Sequence, residues 1–189
     1  MVSRALSYFL ETWPTLRDMH RAYILTDMQP SNVANILGAF ALRMSDEILT
    51  ETADSESDAS SIAALVHLSK YSGSSIEDLR APLRLSHSGC VRVVDRLVSK
   101  KLIERRVAED SRAVALLPTR KGRAVVEAAL ARREERLVRA LQPLSKPEQE
   151  LLADLMARVL TSEVQTVSSA LRACRLCDYG ACQECPVNL

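Results

Sequence analysis

Residues 86–122 read SHSGCVRVVDRLVSKKLIERRVAEDSRAVALLPTRKG, and the spacing of their apolar side chains changes partway along. Apolar residues first recur at three- and four-residue steps, which predicts a helix at roughly His87–Lys100 with Ser86 as its N-cap. The period then becomes two, which predicts strands at Ile103–Val107 and Ala113–Leu117. A helix followed by a two-stranded hairpin is therefore the central unit of this chain.

Three amphipathic helices are predicted before this unit. Apolar side chains recur at helical spacing from Val33 to Ile48. A second helix begins at Ser61, and a short third helix follows Ser75. The acidic, serine-rich stretch 50–61 between the first two is typical of a solvated link.

Two long helices are predicted after the hairpin. One begins at Thr119 and runs to about Leu141, because a proline follows two residues later. Ser145 and Glu148 have capping-box spacing, so they mark the start of a last helix. The apolar pattern carries this last helix to about Arg172.

The composition of the 189 residues favours one helical domain with appendages. Hydrophobic residues make up 47% and charged residues 26%, which excludes wholesale disorder. Five glycines and two phenylalanines argue against an all-β fold. No apolar run approaches the length of about 18 residues that spans a bilayer, and no secretory signal is apparent, so we expect a cytoplasmic protein with no membrane partner.

The net charge of +1 conceals an uneven distribution along the chain. Residues 75–123 hold twelve Lys or Arg against six Asp or Glu, whereas the remainder holds thirteen against eighteen. A basic segment inside an acidic remainder is typical of a phosphate-binding face, and this one coincides with the helix and hairpin. The alternative is a solvated surface on which charges cluster by chance.

The predicted helix at 87–100 has the residue types that a major-groove helix needs. Small polar side chains at its N-terminal end can approach base edges, and the basic side chains further along suit guanine edges or phosphates. Val91 can contact a thymine methyl group, and Arg112 at the hairpin tip suits a narrow minor groove. The predicted DNA-binding residues are Ser86, His87, Ser88, Gly89, Val91, Arg92, Arg96, Lys100 and Arg112.

Residues 88–105 and 109–122 together resemble the winged helix-turn-helix signature of the MarR (multiple antibiotic resistance regulator) family. The resemblance covers residues 32–171 in element order. It implies a mainly α fold with a small two-stranded β wing, in which a winged helix-turn-helix is joined to long dimerisation helices. It also implies a homodimeric transcriptional regulator, usually a repressor, that binds double-stranded DNA at a pseudo-palindromic operator and is released by a small-molecule inducer.

Three positions depart from the family pattern. Gly89 and Val91 stand where the family usually has threonine-like residues, and Ser111 replaces the first of two adjacent wing arginines. In the family, the arginine that matches Arg112 contacts DNA from the wing. Asp95 is expected to pair with a nearby arginine, either Arg112 or Arg96.

The predicted organisation has five parts. Residues 1–30 form an N-terminal extension, interpreted as a dimer arm, and residues 31–57 form the first dimerisation or linking helix. Residues 58–123 form the winged helix-turn-helix domain, and residues 124–172 form the C-terminal dimerisation helices. Residues 173–189 form a cysteine-rich tail.

Four of the five cysteines, Cys174, Cys177, Cys182 and Cys185, have the spacing C-x2-C-x4-C-x2-C. In a cytoplasmic chain this spacing indicates a metal site rather than a disulfide framework. Four thiolates with no open position are typical of structural zinc. An iron–sulfur cluster shares this ligation, and free or redox-paired thiols are the third alternative. The MarR resemblance says nothing about this tail.

The sequence leaves alternatives to an inducer-released DNA-binding regulator open. The tail cysteines favour a metal- or redox-sensing version of the same regulator. A protein-interaction module without DNA binding would use the basic face against an acidic partner. The sequence has no Ser/His/Asp set and no phosphate-cradling glycine loop, so we expect no enzymatic activity. Cys90 is interpreted as a small buried hydrophobe, and His67 as a core-edge residue or part of a ligand pocket.

Overall fold

The computed structural model describes residues 30–53, 57–107, 114–182 and 185–187. Within these ranges the predicted mainly α fold with a two-stranded wing is confirmed, and no helix is long and apolar enough to cross a membrane. The elements are α1 (Pro30–Thr52), α2 (Ala59–Lys70), a 3-10 turn (Glu77–Leu79), α3 (Arg80–Leu83), α4 (His87–Ser99), β1 (Ile103–Val107), β2 (Val114–Pro118), α5 (Arg120–Leu141), α6 (Lys146–Glu163) and α7 (Val167–Ala173). The predicted dimer arm and the hairpin turn with Arg112 lie outside the described residues.

The chain divides into two compact units, Met1–Ser45 and Asp46–Leu189. The described part of the first unit is the N-terminal portion of α1. Its side chains Ile36, Leu37 and Phe40 lie on the predicted apolar face of the helix, and they are 41–58% exposed.

The core of the larger unit forms around α2, in which every residue from Ser61 to Leu68 is buried. Asp58 begins this helix, because its Oδ1 accepts a hydrogen bond of 2.8 Å from the Ser61 amide. Helix α4 contributes the buried stripe that its spacing predicts, and Cys90 is fully buried in it. The other members of this stripe in the core are Val93, Val94 and Leu97.

The two strands form the antiparallel hairpin of the wing, with Ile103 opposite Pro118 and Val107 opposite Val114. Ile103 and Leu116 face the core. The backbone of Leu116 also exchanges two hydrogen bonds of 3.0 Å with Gly73 and Ser74, in the turn after α2. The base of the wing is therefore fixed to the helical core by buried side chains from both strands and by backbone hydrogen bonds from β2.

Thr119 and Gly122 hold the start of α5 against Lys101 and Leu102, which lie between α4 and β1. The Thr119 hydroxyl donates to the Lys101 carbonyl at 2.8 Å and accepts from the Gly122 amide at 3.0 Å. The Thr119 amide donates to the Leu102 carbonyl at 2.9 Å. A Cβ at position 122 would lie 2.1 Å from that same Leu102 oxygen, so only glycine allows this close approach.

The prediction of one last helix to about Arg172 is wrong. Helix α6 begins as predicted, since the Ser145 amide and hydroxyl both donate to Glu148 at 2.8 Å. It ends at Glu163, because Val164 takes an extended conformation and is buried. Thr166 then caps α7 in a second capping box with Ser169. A local cap and the burial of one valine thus override the continuous apolar spacing.

Candidate nucleic-acid interface

The N-terminal end of α4 is a capped and exposed surface. The Ser86 hydroxyl accepts a hydrogen bond of 3.2 Å from the Gly89 amide. The Ser88 hydroxyl lies 3.1 Å from the Ser86 hydroxyl. Ser86, His87 and Ser88 are all exposed. This end therefore presents short polar side chains to solvent, as a helix that enters a major groove requires.

Gly89 lies on the buried face of α4, whereas the sequence placed it among the DNA-facing residues. A Cβ at this position would lie 3.1 Å from the Leu85 Cβ and 3.4 Å from the Ser86 hydroxyl. Gly89 thus lets α4 pack closely on the preceding turn. The four-residue steps from Gly89 to Val93 and Leu97 were the sequence signal for this burial.

Arg92 lies one turn beyond Ser88 on the exposed side of α4. Within the described residues it takes part in no hydrogen bond or ion pair. Val91 and Lys100 are half-buried, so they border this surface. Arg92 is therefore a guanidinium that folding leaves available for a partner outside the chain.

Arg96 has a partner within the chain, because its Nη1 donates to Asp58 Oδ2. Asp58 also caps α2, so this one carboxylate both begins α2 and binds it to α4. Burial opposes ionisation of Asp58, but the hydrogen bonds from Ser61 and the charge of Arg96 hold its pKa below the usual value. Arg96 stays half-exposed, which leaves part of its guanidinium accessible.

Asp95 pairs with Arg105, at 2.6 Å between Oδ1 and Nη2. The described structure thus gives Asp95 a partner other than the expected Arg96, which is paired with Asp58, and Arg112 lies outside the described residues. The chain reverses directly after α4, so strand β1 runs back beside the helix and brings Arg105 to Asp95. This pair connects the helix to the wing.

His87 connects α4 to the preceding turn of helix. Its Nδ1 lies 3.3 Å from Glu77 Oε2, and Arg80 donates to the other Glu77 oxygen at 2.5 Å. The Arg80 hydrogen bond, followed by that of His87, lowers the pKa of Glu77. His87 is therefore an exposed member of a polar cluster.

A cavity of about 460 Å³ adjoins this surface on the α2 side. His67 Nε2 lies 3.4 Å from the Ser74 hydroxyl, and the His67 ring packs on Tyr71 with centroids 4.9 Å apart. Burial lowers the pKa of His67, while the charge of Asp78 acts in the opposite direction. The cavity lining also includes Glu77, Asp78, Ala81, Val167 and Leu171.

The cysteine-rich tail packs beside α2. All five cysteines of the chain are free, and those of the tail line a cavity of about 290 Å³ together with Lys70 and Tyr71. Burial raises the pKa of Cys174 to about 11 and also raises that of Cys177. No group of three or more His, Cys, Asp or Glu side chains in the described ranges is arranged to hold a metal ion. Zinc and iron–sulfur ligation therefore stay predictions.

The arrangement from α2 to β2 is a winged helix-turn-helix, with α4 in the position of the recognition helix. Solved structures with the same fold include a MarR family protein from Bacillus stearothermophilus, 18% identical, with a TM-score of 0.64 over 73% of this chain and 99% of that one. A probable transcriptional regulator from Pseudomonas aeruginosa is 28% identical, with a TM-score of 0.52 over 67% of this chain and 98% of that one. BpsR from Bordetella bronchiseptica, whose DNA binding is regulated by 6-hydroxynicotinic acid, is 20% identical. Its TM-score is 0.51 over 65% of this chain and 97% of that one.

The chain therefore has the winged helix-turn-helix fold of MarR-family transcriptional regulators, and the resemblance predicted from residues 86–122 is confirmed. The Pseudomonas aeruginosa neighbour is described as a probable transcriptional regulator, and BpsR as a DNA-binding protein. Comparisons with protein-family models and with curated protein sequences find no match.

Proposed function

We propose that this protein is a dimeric, sequence-specific DNA-binding regulator of transcription that represses its target genes. The observation that carries this proposal is the free guanidinium of Arg92, on the exposed face of a recognition helix within a segment of twelve basic residues. Among the described residues this group has no hydrogen-bond or ion-pair partner, and the phosphates and guanine edges of a duplex are suitable ones.

Different residues of the interface are assigned different tasks. Ser86, Ser88 and Val91 lie at the end of α4 that enters the major groove, and Arg92 reads a base edge there. Arg96 and Lys100 follow on the same helix and contact the phosphate backbone, which positions the protein without specifying sequence. Arg112 enters the minor groove from the wing, as the family resemblance implies. Gly89 has a packing task instead.

A second copy of the chain is the proposed partner of α6. None of the residues of this helix is buried, and five of its large apolar side chains are 37–59% exposed. They are Leu151, Leu155, Met156, Val159 and Leu160. A contiguous apolar face of this kind marks a protein–protein contact, and two-fold dimers match pseudo-palindromic sites.

A small-molecule inducer is proposed to bind in the cavity between His67 and Leu171. This cavity is lined by both polar and apolar groups, and its lining includes Glu77, which contacts His87 at the start of α4. A ligand there can change the position of α4. The similarity to BpsR, whose DNA binding is regulated by 6-hydroxynicotinic acid, supports this arrangement.

Selection from a pool of random duplexes followed by footprinting tests the proposed function. We expect the full chain to enrich one pseudo-palindrome and to protect two half-sites about one helical turn, roughly 10 base pairs, apart. One protected half-site would contradict the dimer. No enrichment of any sequence at low salt would overturn the proposal and favour the protein-interaction module.

A further inference from the structure

The cysteine-rich tail is part of the folded core. Leu176, between the first two tail cysteines, is only 6% exposed and belongs to the main apolar cluster. Tyr179 packs against the same cluster and meets the Tyr71 ring edge-on, with centroids 6.1 Å apart. The Lys70 ammonium lies 5.7 Å from the centre of the Tyr179 ring. The first half of the tail is therefore fixed to α2.

The end of the tail returns to α6. The Thr161 hydroxyl donates to the Pro186 carbonyl at 3.0 Å, and Val187 is buried. The segment from Cys174 to Cys185 is thus anchored by residues among its first three cysteines and again directly after its last one. Its two anchors lie on different parts of the fold, the core around α2 and the outer helix α6.

The local backbone brings the two cysteine pairs to one cavity. The Cys177 amide donates to the Cys174 carbonyl at 2.9 Å, which closes the first C-x2-C turn. The Gly180 amide donates to Asp178 Oδ1 at 2.8 Å and the Ala181 amide to the Asp178 carbonyl at 3.3 Å, which forms a second turn between the two pairs. Cys174, Cys177, Cys182 and Cys185 all line the resulting cavity.

We propose that these four thiolates bind one Zn²⁺ ion, which clamps the tail between α2 and α6. Two C-x2-C turns that share a cavity supply four sulfur ligands and no open position, which is the donor set of structural zinc. Among the described residues no three of these thiols are arranged to hold a metal ion, although all four line the same cavity. Binding therefore draws the exposed Cys182 and Cys185 toward the first pair and releases four thiol protons to solvent.

This inference does not depend on DNA binding, since its ligands lie outside residues 75–123. Metal analysis of the full chain, purified under reducing conditions and loaded with zinc, tests it. We expect about one zinc ion per chain and a fall in thermal stability when a chelator removes it. Cobalt(II) in place of zinc should give the intense visible bands of a tetrahedral tetrathiolate.

The test variant is Cys182→Ser with Cys185→Ser, and the control is Ala181→Ser in the same loop. The double variant should lose the zinc, whereas the control should keep it. Circular dichroism of both variants shows whether they fold. If the double variant does not fold, the cobalt spectrum of the unmodified protein decides whether four thiolates bind the metal. Absence of bound metal, an iron–sulfur cluster, or zinc retained by the double variant would each overturn the proposal.

Discussion

Replacing Arg92 by alanine is expected to weaken operator binding by roughly 5- to 150-fold, the equivalent of about 1–3 kcal/mol for one arginine contact to a base edge. The loss should leave folding intact, because Arg92 is exposed and takes part in no hydrogen bond or ion pair within the described residues. Titration of a labelled duplex that carries the selected pseudo-palindrome measures the effect.

Two further variants make this result specific to Arg92. Arg92→Lys keeps the charge but removes the planar fork of donors, so its affinity should lie between those of the alanine variant and the unmodified protein. Lys146→Ala removes an exposed basic side chain at the start of α6, before its exposed apolar residues and outside the basic segment, and should leave binding unchanged. Equal losses for Arg92→Ala and Lys146→Ala would show that α4 does not read the duplex.

Replacing Gly122 by alanine is expected to destabilise the protein by about 3 kcal/mol, the upper part of the range for overpacked positions. The added Cβ would lie 2.1 Å from the Leu102 carbonyl oxygen. A backbone atom cannot move aside as a flexible side chain does, so α5 must shift from the base of the wing. The expected fall in melting temperature is roughly 6–12 °C, measured by circular dichroism.

Gly38→Ala is the matched control for this substitution. Gly38 also lies in a helix, but outside its chain neighbours and its own helix backbone no atom of the described residues lies within 4 Å of a Cβ built on it. Alanine there should leave the melting temperature unchanged or raise it, because alanine has the higher helix propensity by about 1 kcal/mol. Equal melting temperatures for Gly122→Ala and the unmodified chain would refute the close approach of α5 to Leu102.

Most of the fold was predictable from local patterns of apolar and capping residues in the sequence. The change of apolar period after Leu102 located α4 and the wing, because the side-chain repeat differs between a helix and a strand. The break between α6 and α7 was missed because Val164 and Val167 continue the apolar spacing across it. The sequence Thr166 to Ser169 did carry a capping signal, which the longer apolar pattern obscured.

The sequence predicts which side chains of the candidate site are exposed, but not which distant residues pair with them. Helical spacing alone separates the exposed Arg92 from the buried Cys90. The pairing of Arg96 with Asp58 joins residues 38 positions apart, and only the packing of α2 on α4 creates it. The burial of Leu176 likewise depends on how the tail returns to the core, which no local pattern specifies.

The dependence of duplex affinity on salt concentration tests the central claim most directly, namely that the basic face of α4 and the wing binds DNA phosphates. Lys and Arg contacts release counterions from the duplex, so the logarithm of the affinity should fall linearly with the logarithm of salt concentration. We expect a loss of roughly 1,000-fold or more between about 50 mM and about 200 mM salt, the range for proteins with six or more phosphate contacts. An affinity that stays constant over this range would contradict the account.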